Sequence, residues 1–236
     1  KNTPCFLLAA ARVDQVDTRR VWPGAFQDIQ DSEILWVNMS TTLPLGGSLA
    51  YQVQGAVGED VPVFRWTHWG CLLDALQDIH DANIPIAAYR TCADGGLWWA
   101  VCALALSGRC GFRLNLAGAL ASEKMLFAEG VGVVLQVTAE HVSSVLQHFS
   151  THNITAQVHR LGTIHSGGNV HIACDDKQIM NSNIDHIDRL WQRQALQWER
   201  YLSGDANQQA LKRHCLCIRP SYTDVLHPQK TKAEVT

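Results

Sequence analysis

The chain has 236 residues, of which 47% are hydrophobic and 17% are charged, and its formal net charge at pH 7 is −3. This balance argues against a partner bound through a broad basic surface, so neither nucleic acid nor an anionic membrane is expected. The longest apolar runs, such as residues 97–106, are too short to cross a bilayer.

The first third of the chain predicts two strands and two helices. Apolar runs over residues 5–13 and 33–39 predict strands, with a polar connection between them. Residues 48–56 follow two glycines and predict a short helix whose N-terminus faces a phosphate, or a tight turn that merely starts a helix. An apolar stripe over residues 66–82 (Trp69, Leu72, Leu73, Leu76 and Ile79) predicts an amphipathic helix.

A glycine-rich corner follows the apolar run over residues 84–89, which predicts a strand. The corner is Asp94-Gly95-Gly96, and a helix that is apolar on every face is predicted over residues 97–106. A strand that turns through two glycines into a helix lets backbone N–H groups approach an anion closely, and Asp94 is placed to cap the helix or touch a metal. An ordinary turn is the alternative, because Asp-Gly and Gly-Gly are common turn dipeptides.

The remaining elements alternate between strands and helices. Strands are predicted over residues 112–116 and 132–137, and helices over residues 120–127 and 139–152. Residues 155–164 and 170–174 predict a hairpin, and residues 182–202 predict a long helix. These patterns predict an α/β (α+β) fold in which helices are layered on one mixed sheet.

Several other residues have the chemistry of a site without a convincing pattern. His148 and His152 have the spacing of a two-histidine metal face but no third ligand, so surface histidines are favoured. His165 and His171 flank the predicted hairpin and are expected to be solvated. Trp191 and Trp198 share a helix face and predict packing against the core or another domain. The eight scattered cysteines indicate reduced thiols in a cytoplasmic protein.

Four segments of the chain, taken in order, carry a resemblance to one enzyme family. They are Leu45-Gly46-Gly47-Ser48, Asp94-Gly95-Gly96-Leu97, Gly108-Arg109-Cys110-Gly111-Phe112 and Leu126-Phe127-Ala128-Glu129-Gly130-Val131-Gly132. They resemble phosphoribosylformylglycinamidine synthase (formylglycinamidine ribonucleotide synthase) in its large single-chain form. That family has Leu-Gly-Gly-Ser/Thr, His-Asp-x-Ser-Asp-Gly-Gly-Leu, Glu-Met-Ala-Phe-Ala-Gly and Leu-Phe-x-Glu-Glu-x-Gly. The resemblance covers residues 5–201 and the C-terminal part of the synthase region.

The resemblance implies a fragment of an ATP-dependent amidoligase of purine biosynthesis. The enzyme converts formylglycinamide ribonucleotide, glutamine and ATP to formylglycinamidine ribonucleotide. Residues 1–45 would end a preceding ATP-binding-type α/β domain. Residues 46–203 would form a domain like the C-terminal domain of the aminoimidazole ribonucleotide synthetase-like fold, and residues 204–236 a linker toward a missing glutaminase domain. The implied partners are the other synthase domains, the glutaminase domain and the small-molecule substrate.

The resemblance also implies the ligands and the residues that hold them. ATP or ADP and Mg²⁺ are the implied ligands, with Mg²⁺ depending on carboxylates. The nucleotide- or substrate-binding candidates are Gly46, Gly47, Ser48, Asp94, Gly95 and Gly96. Thr91 stands where the family has a metal-binding Asp, and a neutral hydroxyl binds Mg²⁺ weakly.

The departures from the family fall on charged and polar positions. Arg90, Thr91, Cys92 and Ala93 replace His-Asp-x-Ser, Ala103 replaces the Glu of the following helix, and Gly130 replaces the second Glu of the last motif. The apolar and glycine positions are kept, which predicts a preserved fold with a weakened site. The alternative function is therefore a catalytically silent relative that acts as a protein-interaction module.

Overall fold

The computed structural model describes residue 17 and residues 20–58, 60–117 and 122–203, with the side chains of residues 194–196 and 198–203 left out. The predicted strand over residues 5–13 and the predicted linker over residues 204–236 lie outside this part of the chain. The strands are β1 Ser32–Asn38, β2 Ala88–Cys92, β3 Gly111–Leu116, β4 Gly132–Thr138, β5 Val158–His165, β6 Asn169–Cys174 and β7 Lys177–Asn183. The helices are α1 Leu49–Val53, α2 Trp66–Asp81, α3 Gly96–Gly108, α4 Ser122–Phe127, α5 Ala139–Thr151 and α6 Ile184–Ser203.

All the strands join one seven-stranded sheet in the order β2-β4-β1-β5-β3-β6-β7. The β3–β6 pair is parallel and the other pairs are antiparallel, so the sheet is mixed. Side chains alternate across β1: Ile34 and Trp36 join a core with α3, α4 and α6, whereas Leu35 and Val37 join a core with α2 and α5. Helices therefore cover both faces of the sheet, and the predicted fold class is confirmed.

β1 lies inside this sheet. It pairs with β4 from Ser32↔Thr138 to Asn38↔Gly132 and with β5 on its other edge. The predicted boundary after residue 45 therefore does not separate β1 from the sheet, because its backbone groups are paired with those of β4 and β5. The assignment of the rest of residues 1–45 to a preceding domain stays a prediction.

The predicted hairpin between residues 155–164 and 170–174 is wrong. Both strands form, but β3 lies between them, antiparallel to β5 and parallel to β6. The connection between β5 and β6 crosses the start of β3 at Gly111, where a Cβ would overlap the backbone of Asn169. The absence of a side chain at Gly111 permits that close crossing.

The hairpin that does form joins β6 to β7, and sequence reasoning missed β7. Asp175 and Asp176 form its two-residue turn with φ of 46° and 63°, the left-handed backbone that a tight hairpin turn requires. Residues 182 and 183 complete β7, so the long final helix begins at Ile184, whose N–H donates to the carbonyl of Gly168.

The helices follow the apolar patterns closely, and α2, α3 and α5 form where they are predicted. The strand predicted over residues 84–89 begins later, at Ala88, and runs on to Cys92 beside β4. The N–H of Ile84 instead donates to Ile79 and closes the end of α2. None of the helices in the described ranges has both the length and the apolarity needed to cross a membrane.

Candidate functional site

The first corner (Gly46, Gly47 and Ser48) leads into α1. Ser48 is the N-cap: its Oγ accepts from the N–H of Tyr51 at 3.4 Å and donates to the carbonyl of Leu45 at 2.7 Å. A Cβ on Gly46 would overlap the carbonyl oxygen of Asp60. The glycine is therefore explained by a close internal approach, and the short helix predicted after it is present.

The second corner (Asp94, Gly95 and Gly96) joins the end of β2 to α3. Gly95 and Gly96 have φ of 80° and 63°, the left-handed backbone that favours glycine. A Cβ on Gly96 would lie 2.7 Å from the carbonyl oxygen of Ala128. Gly95, rather than Asp94, is the N-cap of α3, and no side chain caps that helix. Asp94 is exposed, and its predicted capping role is wrong because no side chain caps α3.

Glu129 brings the two corners together. Its Oε1 accepts from the N–H of Leu49 at 2.8 Å and from the N–H of Gly95 at 2.8 Å. Leu49 lies 80 residues and Gly95 lies 34 residues from Glu129 along the chain. Two sites that the sequence presents separately are thus neighbours in space, on either side of one carboxylate. Sequence reasoning noted Glu129 only as a motif residue, since no local pattern indicates which distant N–H groups a carboxylate binds.

Four of the backbone donors in the two corners, those of Gly47, Ser48, Gly95 and Gly96, are already used within the chain. Gly47 donates to the carbonyl of Val57 at 2.8 Å, Ser48 to that of Leu45 at 3.1 Å and Gly96 to that of Ala93 at 2.9 Å. Leu49 and Gly95 donate to Glu129. An anion would reach these N–H groups only by displacing an internal acceptor.

The predicted metal position has few suitable ligands around it. Thr91 is exposed and pairs with Val133 in the sheet. Beside it, burial raises the pKa of the Cys92 thiol to about 12, which keeps that thiol protonated. Within the described ranges no group of three or more His, Cys, Asp or Glu side chains is placed to hold a metal ion. These residues alone therefore do not fit Mg²⁺, which prefers charged oxygen ligands.

Of the two other positions where family acids are replaced, packing accounts for one, Gly130, and leaves the other, Ala103, unexplained. A Cβ on Gly130 would overlap Oγ of Ser40, which accepts from the N–H of Val131 at 3.0 Å. Ala103 is buried in α3 and faces a half-open cavity of about 220 Å³ between α3 and α6. A carboxylate side chain at residue 130 would therefore have to displace the Ser40 side chain, whereas Ala103 borders open space.

The described tryptophan and histidine candidates lie in different environments, and none forms a metal site. Trp191 stacks on Trp99 with the ring centroids 4.1 Å apart, although its side chain is 59% exposed. The Trp198 side chain lies outside the described residues. His152 Nε2 lies 2.7 Å from Oδ2 of Asp78, which joins α5 to α2. His165 is exposed as predicted, but His171 is half-buried and its Nδ1 has no partner among the described residues.

Comparison of the structure with solved structures defines the class of domain. The fold is shared with PurL of Thermotoga maritima, in a structure complexed with ATP (TM-score 0.57, 12% identity, 72% of this chain and 27% of that chain). The fold is also shared with PurL of the same organism complexed with FGAR (TM-score 0.61, 10% identity, 72% of this chain and 30% of that chain). At these identities the likeness concerns the fold.

Sequence comparison finds similarity to one particular enzyme, phosphoribosylformylglycinamidine synthase. The chain is 27% identical over 158 residues to phosphoribosylformylglycinamidine synthase of Schizosaccharomyces pombe. It is 24% identical over 203 residues to the probable phosphoribosylformylglycinamidine synthase of Arabidopsis thaliana. These alignments cover 64% and 84% of the chain but only 12% and 14% of the relatives. No family model matches the chain. The predicted resemblance is confirmed, over a small part of a much longer enzyme.

Proposed function

We propose that this chain is a segment of a phosphoribosylformylglycinamidine synthase. The parent enzyme would be an ATP-dependent ligase that converts formylglycinamide ribonucleotide, glutamine and ATP to formylglycinamidine ribonucleotide in purine biosynthesis. Sequence similarity to two such synthases over 64% and 84% of the chain supports this assignment. The fold shared with PurL complexed with ATP is consistent with it.

Within that enzyme, the segment would supply one wall of a nucleotide or substrate site. The wall consists of the two corners, Gly46, Gly47, Ser48, Asp94, Gly95 and Gly96. The observation that carries the proposal is the pair of 2.8 Å hydrogen bonds from the N–H groups of Leu49 and Gly95 to Glu129. These bonds bring two segments that are distant in sequence together into one surface. Gly47 and Asp94 are exposed on that surface.

The chemistry limits what this segment does by itself. ATP would supply the phosphoryl group that activates the substrate amide for attack by ammonia. The wall would position the ligand through backbone and short side chains and would not transfer protons. Mg²⁺ would need carboxylates from outside the described residues, since these residues hold no cluster of three metal ligands.

Other synthase domains and the glutaminase domain are the proposed partners. The apolar side chains that follow the first corner are exposed, including Val53 at 87% and Trp66 at 77%, with Val57, Val61 and Val63 between them. A run of exposed apolar residues is typical of a surface that another domain covers. The free thiols among the described cysteines agree with a reducing compartment such as the cytoplasm.

A binding experiment tests the proposed wall. In the longest natural polypeptide that contains this chain, Gly95→Ala should abolish MgADP binding measured by calorimetry. The added Cβ would lie 2.6 Å from Cβ of Trp99 at a residue with φ of 80°, and the second corner would have to move. Gly70→Ala is the matched control, because a Cβ there has no neighbour within 4 Å. Unchanged binding by folded Gly95→Ala would contradict the proposal.

The second candidate is a catalytically silent relative that acts as a protein-interaction module. The replacement of family acids by Thr91, Ala103 and Gly130 and the absence of a three-ligand metal cluster from the described residues favour it. It predicts no MgADP binding by the same polypeptide, while association with partner domains persists.

A further inference from the structure

Residues 46–58, here called the α1 segment, are joined to the rest of the domain by very few bonds. Every hydrogen bond described for the α1 segment has both partners between residues 45 and 58, with one exception. The exception is the bond from the N–H of Leu49 to Glu129. This carboxylate is therefore the hydrogen-bonded link between the segment and the second corner.

Packing adds little to that link beyond the first corner. Gly46 and Ser48 are buried, but α1 itself buries none of its five residues. The side chains of Leu49, Val53 and Val57 are 45%, 87% and 77% exposed. A segment with few buried apolar contacts opens at low free-energy cost, so its position depends strongly on the bonds that hold it.

Glu129 is itself firmly placed. The N–H of Ala128 closes α4 on the carbonyl of Lys124 at 3.1 Å, and the N–H of Val131 donates to Oγ of Ser40 at 3.0 Å. The Ala128 carbonyl oxygen lies against Gly96, where a Cβ would be only 2.7 Å away. The backbone on both sides of Glu129 is thus fixed against the second corner and the end of β1.

We propose that Glu129 is a positioning residue, whose carboxylate sets the α1 segment at a fixed distance from the second corner. One oxygen atom accepts both N–H groups at 2.8 Å, so the two nitrogens lie within twice that distance of each other. Hydrogen bonds to an ionised acceptor are stronger than neutral ones. The distance between the two corners, and hence the affinity of the wall for a nucleotide, therefore depends on Glu129. That a nucleotide is the ligand rests on the proposed function.

Hydrogen exchange of the 236-residue chain, followed by mass spectrometry, tests the link without any ligand. In Glu129→Ala, exchange of the α1 segment should be about tenfold faster or more, with β4 unchanged. Glu129→Gln should stay within about threefold of wild type, since its amide oxygen still accepts both N–H groups. Glu123→Ala, which removes an exposed carboxylate of α4, is the control and should match wild type. Unchanged exchange in Glu129→Ala, or equal acceleration in β4, would overturn the proposal.

A second measurement separates this inference from the proposed function. In the longest natural polypeptide, Glu129→Ala should weaken MgADP binding at least about tenfold, and Glu129→Gln should restore most of it. If the wild type does not bind MgADP while exchange behaves as expected, the proposed function fails and the positioning role stands. If Glu129→Ala binds MgADP as tightly as wild type, the proposed function stands and the positioning of the wall by Glu129 is wrong.

Discussion

At the scale of single residues, Gly130 and Ser40 show how packing and lost chemistry are connected. Oγ of Ser40 accepts from the N–H of Val131 and occupies the space that a side chain at residue 130 would need. A carboxylate at residue 130 would therefore displace Ser40 and break that bond. Restoring the family Glu at residue 130 would therefore require Ser40 to shift, at a cost in stability.

This packing predicts different effects on stability for the same substitution, glycine to alanine, at two positions. Gly130→Ala should lower the free energy of unfolding by about 1–3 kcal/mol, because the added methyl group overpacks a filled space. Gly70→Ala should leave it unchanged or raise it by about 0.5–1 kcal/mol, because it lies in open space on a helix. Urea unfolding measures both. Equal effects of the two substitutions would show that the space beside Ser40 is not filled.

The buried thiols predict selective alkylation. Burial raises the pKa of Cys110 to about 11 and that of Cys92 to about 12, and it raises the pKa of Cys102 further. At pH 8 the thiolate, which is the reactive form, is therefore scarce at these three residues. Iodoacetamide should label the half-buried Cys71 and Cys174 first. Mass spectrometry of peptides from the native chain that showed Cys102 labelled as fast as Cys174 would contradict the buried position of Cys102.

At the scale of the elements, apolar periodicity predicts the helices and the central strands well. α2 buries Leu72, Ala75, Leu76 and Ile79 at helical spacing, and β3 alternates between buried and exposed residues. α3 is apolar on all sides because it packs between the sheet, α4 and α6. These patterns are local, so a single sequence is enough to predict them.

The elements that sequence reasoning misjudged depend on contacts between distant residues. Strands adjacent in sequence usually pair, yet β3 enters between β5 and β6 because Gly111 lets the connection cross it. β7 is hard to predict from sequence because its residues are mostly exposed and polar. The pair Asp175-Asp176 is the one local signal of the turn that precedes it. The two corners of the candidate site were predicted from glycines, whereas their link through Glu129 joins residues 34 and 80 positions away.

The burial of α3 predicts how the chain responds to a charge. Leu104→Asp should lower the free energy of unfolding by about 3 kcal/mol or more, because an unpaired carboxylate would enter a core where Leu104 is fully buried. Leu73→Asp, on the exposed side of α2, is the matched control and should change stability little. Equal melting temperatures for Leu104→Asp and wild type would contradict the assignment of α3 to the core.

At the scale of the whole molecule, the chain spans 12% and 14% of the length of the two synthases it matches. Its described residues form one sheet with helices on both faces, and each corner of the candidate site exposes one residue, Gly47 or Asp94, at the surface. Under the proposed function, this chain would supply the ligand-contacting wall, and other domains would supply the metal ligands and the ammonia.

Because the metal ligands and the ammonia would come from other domains, we predict that the 236-residue chain alone has no synthase activity. With ATP, Mg²⁺, formylglycinamide ribonucleotide and an ammonium salt, phosphate release should not exceed that of a blank without protein. The physical reason is that its described residues hold no three-ligand metal cluster. Phosphate release well above the blank, together with its loss in Gly95→Ala, would refute the prediction that the chain alone is inactive.

The central claim is that the two corners form one wall of a ligand site, and a ligand-bound crystal structure tests it most directly. The longest natural polypeptide that contains this chain would be crystallised with MgADP and formylglycinamide ribonucleotide. We predict that one of these ligands contacts residues of both corners, Gly46 to Ser48 and Asp94 to Gly96. Ligands bound elsewhere, with both corners facing solvent or another domain's apolar surface, would contradict the claim.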